Sequence, residues 1–224
     1  MRTLIAAAVL ACVACSAPPA PPTPTPTPTP ASAATATAPP ATLPPGAFAF
    51  TVAPGTKATI RVHEQVAGVA LPGEAVVTTT MLDGRFVLLP DGTFQEGSKL
   101  RADLDALKSD NDLRDEWIKI NTLQTRLYRY AEFSPLRVSG LPLPLPASGT
   151  WQAKVEGRMK IKKTEQPVTW DLAITRTGSE VSATGAIRFR FGDYGMEVPA
   201  NRLILSVEDD IHLEIALAAR GEDR

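Results

Sequence analysis

Three long runs of strict apolar/polar alternation fill residues 150–199 of the chain. In the first, Trp151, Ala153, Val155, Gly157, Met159 and Ile161 alternate with Thr150, Gln152, Lys154, Glu156, Arg158, Lys160 and Lys162. After an expected turn at 163–166, Val168, Trp170, Leu172 and Ile174 alternate with Thr169, Asp171, Ala173 and Thr175. The third run sets Val181, Ala183, Gly185, Ile187, Phe189 and Phe191 against Ser182, Thr184, Ala186, Arg188 and Arg190. A period of two over such lengths predicts β-strands with one apolar and one solvated face. Shorter runs predict further strands at 48–53, 57–65, 74–82, 85–89 and 99–105, and a last one through Ile211, Leu213, Ile215 and Leu217. Pro54-Gly55, Pro72-Gly73, Asp83-Gly84, Asp91-Gly92 and Thr177-Gly178 mark turns. Long antiparallel strands of this kind bury the apolar face by closing a barrel or by stacking a second sheet.

Two segments break the pattern. In Leu141-Pro142-Leu143-Pro144-Leu145-Pro146 each proline lacks a ladder donor, so this is a connector or an edge. Ser109 and Asp112 stand at capping-box spacing, and Leu113, Trp117 and Ile120 recur at helical spacing, predicting a helix over 111–123. Its apolar face is expected to cover a barrel mouth or to pack on the sheet.

The N-terminus adds a compartment. Arg2 followed by an apolar run from Leu4 to Val13 is too short to span a bilayer and reads as an export signal, residues 1–14. Both cysteines of the chain, Cys12 and Cys15, lie at its end, so no disulfide is expected in the mature domain. Cys12-Val13-Ala14-Cys15-Ser16 resembles a bacterial lipobox, with Cys15 the expected acylated residue and Cys12 the alternative. That resemblance implies a membrane anchor through N-terminal acyl chains, exported and facing the periplasm from the outer membrane, since Ala17 rather than aspartate follows Ser16. Residues 15–46, rich in Pro, Thr and Ala, read as an extended tether of roughly 3.1 Å per residue where it is polyproline II. Residues 47–220 are one domain's length, followed by a tail at 221–224.

Composition narrows the chemistry. A formal net charge of −1 with scattered basic residues offers no nucleic-acid face. His63 and His212 have no second ligand at metal-binding spacing, so no metal is expected. No nucleophile elbow, phosphate-binding glycine loop or dinucleotide fingerprint is present, and neither catalytic residues nor a cofactor are expected. Asp103, Asp105, Asp110, Asp112, Asp115 and Glu116 read as a solvated strand face and helix start, and Glu208-Asp209-Asp210 as a turn.

Several motifs carry a family resemblance. Leu113-Arg114-Asp115-Glu116-Trp117-Ile118, then Tyr130-Ala131-Glu132-Phe133, resembles the region around the Arg-Asp pair in the YceI-like lipid/polyisoprenoid-binding family. Gln166-Pro167-Val168-Thr169-Trp170-Asp171-Leu172 is similar to one strand of that family. So is Ala183-Thr184-Gly185, with Phe189, Phe191-Gly192-Asp193-Tyr194-Gly195-Met196 and Pro199, to its later signature. The resemblance implies an all-β, extended lipocalin-like antiparallel barrel of about eight strands with one short helix, whose interior accepts an amphiphilic lipid such as a polyisoprenoid. Its interior positions here are Ile60, Val62, Leu100, Trp117, Trp151, Val155, Met159, Trp170, Leu172, Ile174, Ile187, Phe189 and Phe191, with Arg114 and Asp115 at the rim near a headgroup. The same residues also suit a filled core, in which case the barrel would be an envelope interaction module with a protein partner.

Overall fold

The structure, a computed structural model, describes residues 43–68, 70–200 and 204–222. The export signal, Cys12, Cys15 and nearly all of the expected tether lie outside the described residues. Thr42–Arg224 is a compact unit. Its strands are β1 (Phe48–Val52), β2 (Lys57–Val66), β3 (Gly73–Thr79), β4 (Leu82–Leu88), β5 (Lys99–Asp103), β6 (Tyr130–Ser139), β7 (Ser148–Ile161), β8 (Thr164–Thr177), β9 (Glu180–Phe189), β10 (Ile204–Val207) and β11 (Ile211–Gly221). Among the described residues one α-helix, α1 (Asp112–Trp117), runs directly into a wider π turn at Ile118–Leu123, and Phe191, expected at the end of the third strand, instead opens a short 3-10 turn at Phe191–Tyr194. No helix among the described residues is long and apolar enough to cross a membrane.

The strands are antiparallel and run β1-β4-β5-β6-β7-β8-β9-β11, and β11 returns to β1 through Phe50↔Gly221 and Val52↔Ala219. That is the closed eight-stranded barrel the family resemblance implied, and closure leaves these eight strands without a free end to the series. β2 continues the wall past β1, pairing with β11 from Lys57 to Arg61, with β3 along most of its length and with β10 at its far end. The break between β1 and β2 falls at Pro54-Gly55, with Gly55 at φ 98. Buried Thr56 bridges it: its hydroxyl lies 2.9 Å from the Ala218 carbonyl and 3.0 Å from the Ala53 carbonyl, and accepts the Ala218 N–H at 3.0 Å.

The alternation is read out faithfully by β7, where every second residue from Ala153 to Ile161 is buried and those between are exposed. Several local expectations change. Asp83-Gly84 does not turn the chain but lies within β4, opposite Arg101 and Leu100. The β7–β8 turn is shorter than 163–166: Ile161 pairs with Thr164, so only Lys162 and Lys163 turn the chain, with Lys162 at φ 57. Tyr130–Ser139 forms a strand that the patterning did not predict, because Pro135 and a register shift beside it interrupt the alternation. The helix N-cap is Asn111 rather than Ser109, since the Asn111 Oδ1 accepts the N–H groups of Leu113 and Arg114 at 3.0 and 3.1 Å. Asp115 is not a solvated side chain. It is 3% exposed and accepts the Ser109 N–H at 2.9 Å and the Ser109 hydroxyl at 2.6 Å.

Candidate functional site

The barrel interior is divided. One cavity, of about 100 Å³, is lined by residues including Phe50, Leu100, Phe133, Val155, Trp170, Leu172, Ile174 and Ile215. A second, of about 530 Å³, lies at the other end among Ile60, Val62, Val77, Trp117, Phe189, Phe191 and Ile211. No described residue lines both. The register explains the division strand by strand. On β9, Ala183 borders the small cavity and Phe189 the large one, with Ile187 between; on β11, Leu213 stands between Ile215 and Ile211 in the same way. Phe133, Val168, Ile187 and Leu213 pack against the core clusters of both ends. These four form a waist. The Phe133 ring lies over Gly157, where a Cβ would come within 2.6 Å of it, and meets Trp170 edge to face at 6.2 Å between centroids.

Each end is covered differently. Over the small cavity lies the Leu-Pro connector, with Leu141 and Leu145 in the lining. Arg176 clamps it: this side chain follows Trp170, Leu172 and Ile174 on the inward register of β8, bonds the Leu145 and Pro146 carbonyls at 3.0 and 3.3 Å, and stacks 3.9 Å from the Phe48 ring centre. Burial pulls its pKa below the ordinary arginine value. Across the large cavity lie α1 and its π turn. Trp117 and Ile118 face inward from them, while Leu113 and Ile120 line the cavity and are still 75% and 52% exposed. At that end, therefore, apolar residues at the mouth of the cavity meet solvent.

Among the described residues, the charged side chains that line a cavity stand at this mouth. Glu64 sits on the inward register of β2, after Ile60 and Val62, and accepts the Arg114 Nη2 at 2.7 Å. The Arg114 Nη1 bonds Asp110 and reaches the Ser109 hydroxyl at 3.4 Å. Burial opposes the charge of Arg114, but Asp110 and Glu64 outweigh it and hold the guanidinium pKa above its ordinary value. This ion pair ties α1 to the wall. In the core of the same end, Tyr194 packs edge to face on Phe189, is 1% exposed with no hydrogen-bond partner for its hydroxyl, and burial, with Asp193, pushes its pKa up to about 12.

Ten of the thirteen interior positions expected from sequence line a cavity: Leu100, Val155, Trp170, Leu172 and Ile174 the small one, and Ile60, Val62, Trp117, Phe189 and Phe191 the large one. Met159 is buried in the core below the waist, and Ile187 belongs to the waist itself. Trp151 lines neither cavity; its ring folds over Gly149, whose missing side chain leaves it room on its own strand. Of the rim pair, Arg114 lines the large cavity and Asp115 does not, being committed to Ser109. Glu64 and the Leu-Pro lid were not expected at the site. Glu64 is detectable as a carboxylate in an otherwise apolar register, whereas the lid depends on how the β6–β7 connection folds back. A filled core does not describe the large cavity. Among the described residues no group of three or more His, Cys, Asp or Glu is placed to hold a metal ion.

A model of the YceI-like domain matches residues 52–219. The chain belongs to the YceI-like family. No curated protein matches it in sequence. Among solved structures, this YceI-like chain is similar to a polyisoprenoid binding domain from Saccharophagus degradans implicated in plant cell wall breakdown (TM-score 0.60, 11% identity, covering 78% of this chain and 99% of that one). It is also similar to Burkholderia cenocepacia BcnA (0.54, 13%, 73% and 95%) and to a Campylobacter jejuni YceI protein (0.54, 12%, 71% and 91%). At these identities the likeness is one of fold.

Proposed function

We propose that this YceI-like barrel holds the apolar tail of an amphiphilic lipid, of polyisoprenoid, isoprenoid quinone or fatty acyl type, and does no chemistry on it. The observation that carries this reading is the apolar cavity of about 530 Å³, open under α1, which falls within the range of about 300–1,000 Å³ usual for small-molecule sites. Apolar area withdrawn from water at about 25 cal/mol per Å² supplies affinity without a reactive group. The Saccharophagus relative, described as polyisoprenoid binding, supports the same ligand class. In this reading the domain works in the cell envelope, anchored by acylated Cys15 and tethered by residues 15–46.

Mass spectrometry of organic extracts from the purified protein is expected to find a co-purifying prenyl or acyl lipid. Protein free of lipid that also fails to bind any prenyl or acyl chain offered in vitro would refute the reading. For the anchor, Cys15→Ala is expected to move the protein from the membrane to the soluble fraction. Retention in the membrane fraction would refute acylation at Cys15.

A further inference from the structure

The charges at the mouth of the large cavity bear on what headgroup enters it, given the lipid-binding reading above. Among the described residues three charged side chains line this cavity: Arg114, Glu64 and Glu116, one cation against two anions. The cation is already engaged, through Nη2 to Glu64 at 2.7 Å and through Nη1 to Asp110 and Ser109. Nearby Lys108 is likewise paired, at 2.9 Å from Asp112 and 3.5 Å from Asp115. A phosphate or carboxylate arriving here has two courses. It can take Arg114 from Glu64, which leaves a carboxylate only 10% exposed without its partner on an apolar wall. Otherwise it sits beside Glu64 and Glu116 as a third negative charge. A hydroxyl, a quinone carbonyl or an amide disturbs neither arrangement, and neutral polar side chains, those of Asn111, Asn121 and Thr122, line the same cavity.

We infer that the large cavity selects amphiphiles whose headgroup is uncharged and discriminates against phosphate- or carboxylate-terminated lipids with the same tail. The ion pair that pins α1 to β2 thereby also acts as a charge filter. Glu116, on the exposed side of α1, adds to it without holding any part of the fold.

The test compares farnesol with farnesyl phosphate, each displacing a fluorescent apolar probe from the full chain at low ionic strength. Farnesol is expected to bind about tenfold tighter or more, a difference of about 1.4 kcal/mol. The gap is expected to narrow as salt screens the open mouth. Glu116→Gln should narrow it further with unchanged thermal stability, and Glu64→Gln, by releasing Arg114, should bring farnesyl phosphate level with farnesol or ahead. Farnesyl phosphate binding as well as farnesol to the unmodified chain overturns the inference while leaving lipid binding intact. So does a gap that responds to neither salt nor Glu116→Gln. Failure of both probes to bind removes the lipid-binding reading and the inference with it.

Discussion

Removing the Phe133 ring should join the two cavities, with separable consequences for stability and for ligand choice. Phe133 is half-buried, packs against both core clusters and contacts Trp170 edge to face at 6.2 Å. Full truncation of a buried phenylalanine costs about 3–5 kcal/mol. Because this ring already borders a void, Phe133→Ala is expected at the lower end, about 3 kcal/mol in urea denaturation. Binding should change in the opposite sense for long tails. In the unmodified protein a tail entering under α1 fills the large cavity of about 530 Å³ and stops at the waist, so affinity should rise with chain length and then level off. Each further isoprene unit carries five carbons and, at about 0.8 kcal/mol per buried methylene, offers up to about 4 kcal/mol if it can be buried. In Phe133→Ala the additional cavity of about 100 Å³ becomes continuous with the first. The length at which affinity levels off should therefore move to longer chains. A calorimetric series of prenols of increasing length, run on both proteins, reads this directly. Phe133→Leu, a milder truncation, serves if the alanine variant folds poorly. The same levelling-off length in the unmodified chain and both variants would refute the waist as the length determinant.

Three further outcomes concern stability. Thr56→Val keeps the shape of the side chain but leaves the Ala218 N–H and carbonyl without their hydroxyl partner at the β1–β2 break, a loss of about 1–3 kcal/mol; a urea midpoint unchanged from that of the parent would contradict it. Burial opposes ionisation of Asp115, but the two Ser109 bonds and Lys108 outweigh it and lower its pKa. Its contribution is thus complete above the ordinary carboxylate value of about 3.9 and is lost as pH falls through the depressed native one. Asp115→Asn should accordingly lie about 1–3 kcal/mol below the parent at neutral pH and converge with it in acid, whereas a constant offset across that range would be inconsistent. For Tyr194 the native pKa is raised, to about 12, so its stabilising effect is complete below the unfolded value of about 10 and is lost between about 10 and 12. Tyr194→Phe removes an unpartnered hydroxyl and should fold at least as well at neutral pH while flattening the alkaline part of the stability profile; an unchanged alkaline slope would count against this assignment.

Much of the wall could be read directly from the chain. Side chains alternate across a strand with a period of two, so periodicity alone puts Val155, Trp170, Ile174 and Phe189 on the inward face. The one helix was also readable in extent, although its cap was not: Ser109 and Asn111 both suit the position, and only the geometry of the turn chose Asn111. Strand β6 escaped because Pro135 and the shift beside it erase the periodicity that marks its neighbours. Trp151 satisfied the inward register and still missed the cavity, since a strand end offers its own backbone, at Gly149, as a surface to cover.

Local patterning dictates which face of each strand is apolar, and hence that the strands must close on themselves or on a second layer. It left open whether that closure is solid or hollow, because the same side chains fill a narrow barrel or line a wider one. The answer lies in distances that no local pattern encodes. The ring of Phe133 reaches across to Gly157 and Trp170 and pinches the interior, the Leu-Pro connector folds over one end, and α1 is held across the other by Arg114 and Glu64, fifty residues apart in the chain. Periodicity fixes the direction in which a side chain points, whereas a cavity depends on what stands opposite it, and that is set only when strands distant in sequence are brought into register.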